Sequence, residues 1–166
     1  ESDPKKQIHS YYIIGEDPAQ SDPDLPEIRE TLSKIDFVVI QDIFFNKTSE
    51  YADVIFPATA WGEHEAVYSA CDRRFQRVHK LVDPDPNVKT DWEILCLVAT
   101  AMGYPMHYNN TEEIWDEMIS LSPKYYGATY EKLEANYGIQ WPCYTRNPED
   151  KGTKFLHEGA TFNKPE

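Results

Sequence analysis

Basic side chains are scarce in this chain of 166 residues: sixteen Lys and Arg stand against 29 Asp and Glu, a formal net charge of −13. A surface that acidic repels nucleic acid and anionic membrane, so backbone-phosphate binding on a broad basic face is excluded. A local anion pocket made of helix N-termini and backbone N–H groups stays possible. No run of 18 apolar residues occurs, and no membrane insertion is expected. The opening ESDPKKQIHS has neither the apolar stretch of a signal peptide nor an initiator methionine, so the chain reads as an excised piece of a longer one. Cysteine is rare. Cys71, Cys96 and Cys143 are odd in number and far apart, which gives neither a disulfide framework nor a zinc ligand set and points to a reducing, cytoplasmic setting. A P-loop, a C-x-x-C pair and a Ser–His–Asp order are all missing. So is the glycine fingerprint G-x-G-x-x-G, and an ordinary NAD site is not expected.

What is present suits one α/β domain. Apolar residues make up 40 % and aromatics 13 %, too rich for a disordered tail. Tyr11–Ile14 reads as a strand and Gly15 to Ser21 as a loop. Asp22 and Pro23 offer an N-cap and first helical position for a helix to about Lys34, with Leu25, Ile28, Leu32 and Ile35 at helical spacing. Phe37–Ile40 is an uninterrupted apolar strand of the kind buried in a parallel sheet, and the three elements make a βαβ unit. Asp53–Phe56 is a third strand, closed by Pro57. The stretch from Trp61 to Lys80 reads as loops with a hairpin between Val67–Ser69 and Phe75–Val78, and DPDPN from Asp83 as a surface linker. Thr90-Asp91-Trp92-Glu93 is a capping box, with Ile94, Leu95, Val98 and Met102 behind it and Gly103 and Pro105 as stops. Two more helices are expected, Thr111 to Leu121 with Ile114, Trp115, Met118 and Ile119 inward, and Thr129 to Tyr137. The last dozen residues look like a connection.

Ligands of open α/β sheets bind outside the carboxyl ends of the strands. The first strand delivers Glu16, Asp17 and Ser21 there, and the second delivers Gln41 and Asp42. The alternative is that Asp17 organises the turn and Asp42 is a solvated strand end. Asp91, inside the capping box, either faces the helix dipole or uses two oxygens as a bidentate acceptor. Guanine has adjacent N1–H and N2–H2 donors, and a carboxylate accepts both. Glu63-His64-Glu65 is a poor metal set because consecutive side chains diverge. Arg73, Arg74 and Arg77 form the one basic cluster, for surface charge pairing or an anion grip. His79, His107 and His157 stand alone.

Three stretches carry a resemblance: YYIIGEDPAQSDPDL, then VVIQDIFFNKTSEYADVIFPATAWGEHEAVYSACDRRFQRV, then KTDWEILCLVATAMGYPMHYNNTEEIWDE. They resemble the molybdopterin oxidoreductase family, and within it the catalytic subunit of formate dehydrogenase, formate-hydrogenlyase type. Nitrate reductases and the large subunit of NADH dehydrogenase share the G-E-D-P and A-D-V-I-F-P stretches, and a non-catalytic interaction module keeping the fold is a further alternative. The resemblance implies a Rossmann-like three-layer α/β fold with a short parallel sheet and an added irregular, helical portion. It implies a bis(molybdopterin guanine dinucleotide) cofactor with molybdenum or tungsten, and formate oxidation to carbon dioxide. A [4Fe–4S] cluster and the catalytic residues would lie in the remainder of the same subunit, so no catalytic or metal-binding residue is carried over. Residues 11–60 and 90–111 would form the nucleotide-binding part, and residues 61–89 and 112–166 an extension packed towards an iron–sulfur domain. Asp17, Ser21, Gln41, Asp42 and Asp91 fall where the family contacts one guanosine. Partners would be electron-transfer subunits of iron–sulfur or hydrogenase type. Glu63 and Arg74 are expected in structural salt bridges, and Trp61, Tyr68, Trp115 and Trp141 in an apolar patch that the rest of the enzyme covers.

Overall fold

The computed structural model describes residues 7–157. The chain forms two compact units, one from residues up to His64 together with Leu81–Met106, the other from Glu65–Lys80 together with the chain from His107 on.

The first unit is built on a parallel sheet of β1 (Ser10–Ile14), β2 (Phe37–Asp42) and β3 (Val54–Pro57), in that order across the sheet. Ile13 pairs with Ile40, and Ile40 with Ile55, so the register brings apolar side chains of all three strands to one face. Val38 and Ile40 are fully buried there against α1 (Pro18–Ser21) and α2 (Leu25–Leu32), which contribute Ala19, Ile28 and Leu32. Strand alternation sends Gln41 to the opposite face. There it meets α3 (Asp91–Ala101), which makes the third layer. Between β3 and this helix lies a small apolar recess of about 140 Å³, lined by Phe56, Pro57, Ile94, Leu97 and Val98. The α/β class and the short parallel sheet therefore stand as expected.

Local boundaries shift for identifiable reasons. The expected loop after β1 contains the one-turn helix α1, with Pro18 opening it. The next helix starts at Leu25, capped by Asp24 through the N–H of Glu27, and not at Pro23. A start at Pro23 would carry Pro26 to the fourth helical position, where its missing N–H and its ring begin to disturb the helix; the later start keeps it within the first turn. Within α3 only Ile94 is buried, while Leu95 and Met102 are exposed. Gly103 ends that helix with φ +92°, as a C′ glycine should.

The second unit holds the antiparallel hairpin of β4 (Ala66–Ser69) and β5 (Arg74–Val78), extended by β6 (Ile139–Gln140). Helices α4 (Thr111–Ser120) and α5 (Tyr130–Ala135) supply Trp115, Ile119, Tyr130 and Leu133 to its core. Phe75 packs edge-to-face on Trp115 at 5.2 Å and on Tyr125 at 5.4 Å. The indole N–H of Trp115 donates to the carbonyl of Ala128, so Trp115 is core and not patch, and Trp141 is partly buried against the same cluster. Met118 faces outward. Gly127 is required by close approach, because a Cβ would collide with the Thr145 carbonyl oxygen and the Cys143 sulfur. The basic cluster serves this unit. Arg73 donates to the carbonyls of Trp141, Thr153 and Lys154, Arg74 pairs with Asp72 at 3.1 Å, and Arg77 lies over the Tyr130 ring and pairs with Glu65. His79, expected alone, sits between Glu65 and Glu134, and Glu63 accepts the Ala60 N–H, with no ion pair among the described residues. No helix among the described residues is long and apolar enough to cross a membrane. The expected C-terminal connection lies mostly outside the described residues.

Ile40 is the tightest test of the first core. Replacing it by alanine is expected to cost about 2–5 kcal/mol in urea-unfolding stability, and Gly127→Ala to destabilise the second unit through its steric clash.

Candidate functional site

The five expected site residues stand along the carboxyl edge of the parallel sheet, Asp17, Ser21, Gln41 and Asp42 on the strands and the segments that follow them and Asp91 on the helix that meets Gln41. β1 ends at Ile14, and Gly15, with φ +64°, donates its N–H to the Gln41 carbonyl and turns the chain towards Asp17. Asp17 is the N-cap residue of α1, and its carbonyl accepts the N–H and the hydroxyl of Ser21. Its carboxylate does not cap that helix. It reaches instead to the short 3-10 helix Thr48–Tyr51, where Oδ1 accepts the Thr48 hydroxyl at 2.6 Å and the Thr48 N–H at 2.9 Å, while Oδ2 accepts the Lys47 N–H at 3.3 Å. Thr48, fully buried, in turn accepts the Ala19 N–H of α1 at 3.0 Å. Each of the two short helices thus satisfies an orphan donor of the other. Burial pushes the Asp17 carboxyl up, but the Thr48 and Lys47 hydrogen bonds and the Arg29 charge outweigh it and hold the group below its ordinary value.

Asp42 organises the turn that follows β2. Its Oδ1 accepts the Ile43 N–H at 2.6 Å and its Oδ2 the Asn46 side chain at 2.9 Å. Beyond it, Phe44 and Phe45 project into solvent. An open cleft of about 670 Å³ lies here, lined by Asp17, Gln20, Phe45, Asn46, Lys47, Ser49 and Glu50. Ser21, Gln41, Asp42 and Asp91 are not part of that lining.

Gln41 and Asp91 form the second cluster. The Gln41 side chain is fully buried, and its Nε2 donates to Asp91 Oδ1 at 2.6 Å and to the Asp91 carbonyl at 3.2 Å. The Tyr12 hydroxyl donates to Gln41 Oε1 at 2.6 Å. Asp91 opens α3, where the capping box is present: Glu93 accepts the Thr90 N–H at 2.9 Å and its hydroxyl at 2.7 Å. Among the described residues no donor meets Asp91 Oδ2. A half-buried carboxylate with one oxygen unengaged among the described residues, at the positive end of an eleven-residue helix, fits a donor-rich group. Among the described residues no group of three His, Cys, Asp or Glu could hold a metal ion.

The comparisons with known proteins bear on what that group is. The family model described as molybdopterin oxidoreductase matches residues 2–101. The chain belongs to the molybdopterin oxidoreductase family. It is 52 % identical over 159 residues to formate dehydrogenase H of Escherichia coli (strain K12), covering 96 % of this chain and 22 % of that protein. It is 39 % identical over 155 residues to the F420-dependent formate dehydrogenase subunit alpha of Methanocaldococcus jannaschii, covering 92 % and 23 %. A third relative, the F420-dependent formate dehydrogenase 1 subunit alpha of Methanococcus maripaludis, is 37 % identical over 154 residues, covering 92 % and 22 %. The chain thus spans less than a quarter of the length of these relatives. Family membership implies a molybdopterin cofactor with molybdenum or tungsten.

Two residues of the site escape a reading of the chain alone. Thr48 is one member of an N-K-T-S run that signals only a turn, and Tyr12 is one aromatic in an apolar strand; strand alternation, which puts Tyr12 and Gln41 on one face, was the available signal.

The lowered Asp17 carboxyl makes stability depend on pH in a defined direction. A carboxyl held below its unfolded value stabilises the fold above that value and loses the contribution as pH falls through the folded one. Asp17→Asn is therefore expected to lower the denaturant midpoint at neutral pH, with the gap to wild type closing in acid below the ordinary carboxylate range.

Proposed function

We propose that the chain is the segment of a formate dehydrogenase catalytic subunit that holds one guanosine of a bis(molybdopterin guanine dinucleotide) cofactor. The observation that carries this reading is Asp91: a carboxylate oxygen without a partner among the described residues, at a helix N-terminus, on the carboxyl edge of a parallel sheet in a member of this family. Asp91 accepts guanine N1–H and N2–H2, and adenine, which places an acceptor at N1, would leave that carboxylate facing a lone pair. Asp17 and Ser21, after β1, are the further members of the pocket in this reading, with Asp42 holding the loop after β2 in place. The names of the relatives support formate as the substrate.

When bound, the metal cofactor supplies the redox chemistry of formate oxidation to carbon dioxide; the contribution of this chain is to bind and orient its nucleotide end. Residues 11–60 and 90–111 carry the nucleotide, and residues 61–89 and 112–166 pack towards the remainder of the subunit, which bears the [4Fe–4S] cluster and the catalytic residues. Electrons then leave through iron–sulfur or hydrogenase-type partner subunits in the cytoplasm. The 166-residue chain alone is expected to be inactive.

Expression of the full-length subunit tests the reading. The wild type is expected to contain molybdopterin guanine dinucleotide and to reduce a dye with formate. Asp91→Ala is expected to lower cofactor content by roughly tenfold, the scale of one lost charge-assisted bidentate contact. A full-length protein that reduces nitrate, or that carries no guanine dinucleotide, overturns it.

A further inference from the structure

We propose that Tyr12 and Gln41 form a positioning relay that fixes the Asp91 carboxylate for guanine, an inference that rests on the guanosine reading above. Gln41 has no exposed surface, so every polar atom of its side chain must be met from within the protein. The direction of the amide is dictated by Asp91, which offers it two acceptors and no donor, the carbonyl at 3.2 Å and Oδ1 at 2.6 Å. The amide nitrogen must face them, because an oxygen there would stand against two lone-pair atoms. The amide oxygen is then turned towards β1, where the Tyr12 hydroxyl donates to it at 2.6 Å.

Every contact in this chain has one permitted direction: Tyr12 donates, Gln41 accepts and donates, Asp91 accepts. Both contacts of Gln41 Nε2 end on Asp91, so Gln41 acts on the nucleotide through Asp91 and does not touch it. The relay pins Oδ1 and the backbone of the first helical residue together and leaves Oδ2 without a donor among the described residues. Burial, and after it the Asp91 charge, push the Tyr12 phenol above its ordinary value, which keeps the donor protonated. Tyr12 and Gln41 are thus positioning residues for base selectivity.

The readout is the ratio of affinities for GDP and IDP, measured by calorimetry on the full-length subunit prepared without cofactor. IDP keeps N1–H and lacks the 2-amino group, so the ratio reports whether the carboxylate is set to take both donors. The wild type is expected to prefer GDP by roughly tenfold, within the range of a bidentate base contact. Asp91→Asn is expected to bring the ratio close to one. Tyr12→Phe keeps the ring and removes the donor; the ratio is expected to fall by at least about half of that preference, and to fall no further when combined with Asp91→Asn. General destabilisation would weaken both nucleotides alike and leave the ratio unmoved. Should Tyr12→Phe fail to fold, Gln41→Glu decides, since it keeps the length of the side chain and sets a second acceptor against Asp91, so that the ratio drops again. A wild-type ratio with either folded variant, in a protein whose Asp91→Asn form has lost selectivity, overturns the relay and leaves the guanosine reading standing. A wild type that binds GDP and IDP equally overturns both.

Discussion

A primary amide with no access to water sits in the middle strand of the parallel sheet, and the site depends on how that amide is satisfied. Burying an amide without partners costs several kcal/mol, more than a sheet of three short strands could bear lightly. Gln41 is met on one side by β1 and on the other by the first residue of α3. These bonds therefore do two things at once. They fasten the helix to a face of the sheet where Ile94 is its only buried apolar residue, and they bring a carboxylate to the strand ends.

The other end of the site uses the same device with different groups. Asp17, Thr48 and Ala19 close a small network between two helices too short to be stable alone. In the second unit a lysine takes this part: Lys132 is almost fully buried and donates to the Thr145 carbonyl at 2.8 Å, holding the irregular chain after β6 against α5. Beside it, burial pushes the Cys143 thiol up, with the Lys132 charge opposing, which suits a packing cysteine. Loops in this protein are fixed less by apolar contact than by buried polar groups that have found their partners.

What could be read from the chain, and what could not, follows from the range of each interaction. The strand Phe37–Ile40 is legible because four consecutive apolar residues suit burial in a parallel sheet, and α3 because its capping box is local. The carboxyl-edge placement of Asp17, Gln41 and Asp91 follows once those elements are known. Four-residue helices such as α1 carry too few positions to show a period, and the true start of α2 turned on where Pro26 could be tolerated. Pairings across distance were invisible. Tyr12 and Gln41 are separated by 29 positions, Gln41 and Asp91 by 50, and nothing local in either segment names the other. Met118 was expected inward by period, yet it is exposed among the described residues, as are Leu95 and, most of all, Met102 on the face read behind the capping box.

The two units differ in how they can be made. All residues of the first are present once synthesis has reached Met106, but the hairpin of the second, Glu65–Lys80, emerges long before α4, α5 and β6 exist. Until then Phe75 has no Trp115 or Tyr125 to rest on, and Arg73 has none of its three carbonyls from Trp141, Thr153 and Lys154. The nascent chain must therefore carry this hairpin as an unfinished excursion from the first unit, with Phe75 uncovered until Trp115 and Tyr125 have left the ribosome and Arg73 unpartnered until Trp141 follows them. Contacts of that sequence separation are slow to form, so the hairpin's unit is the later of the two to be completed as the chain emerges.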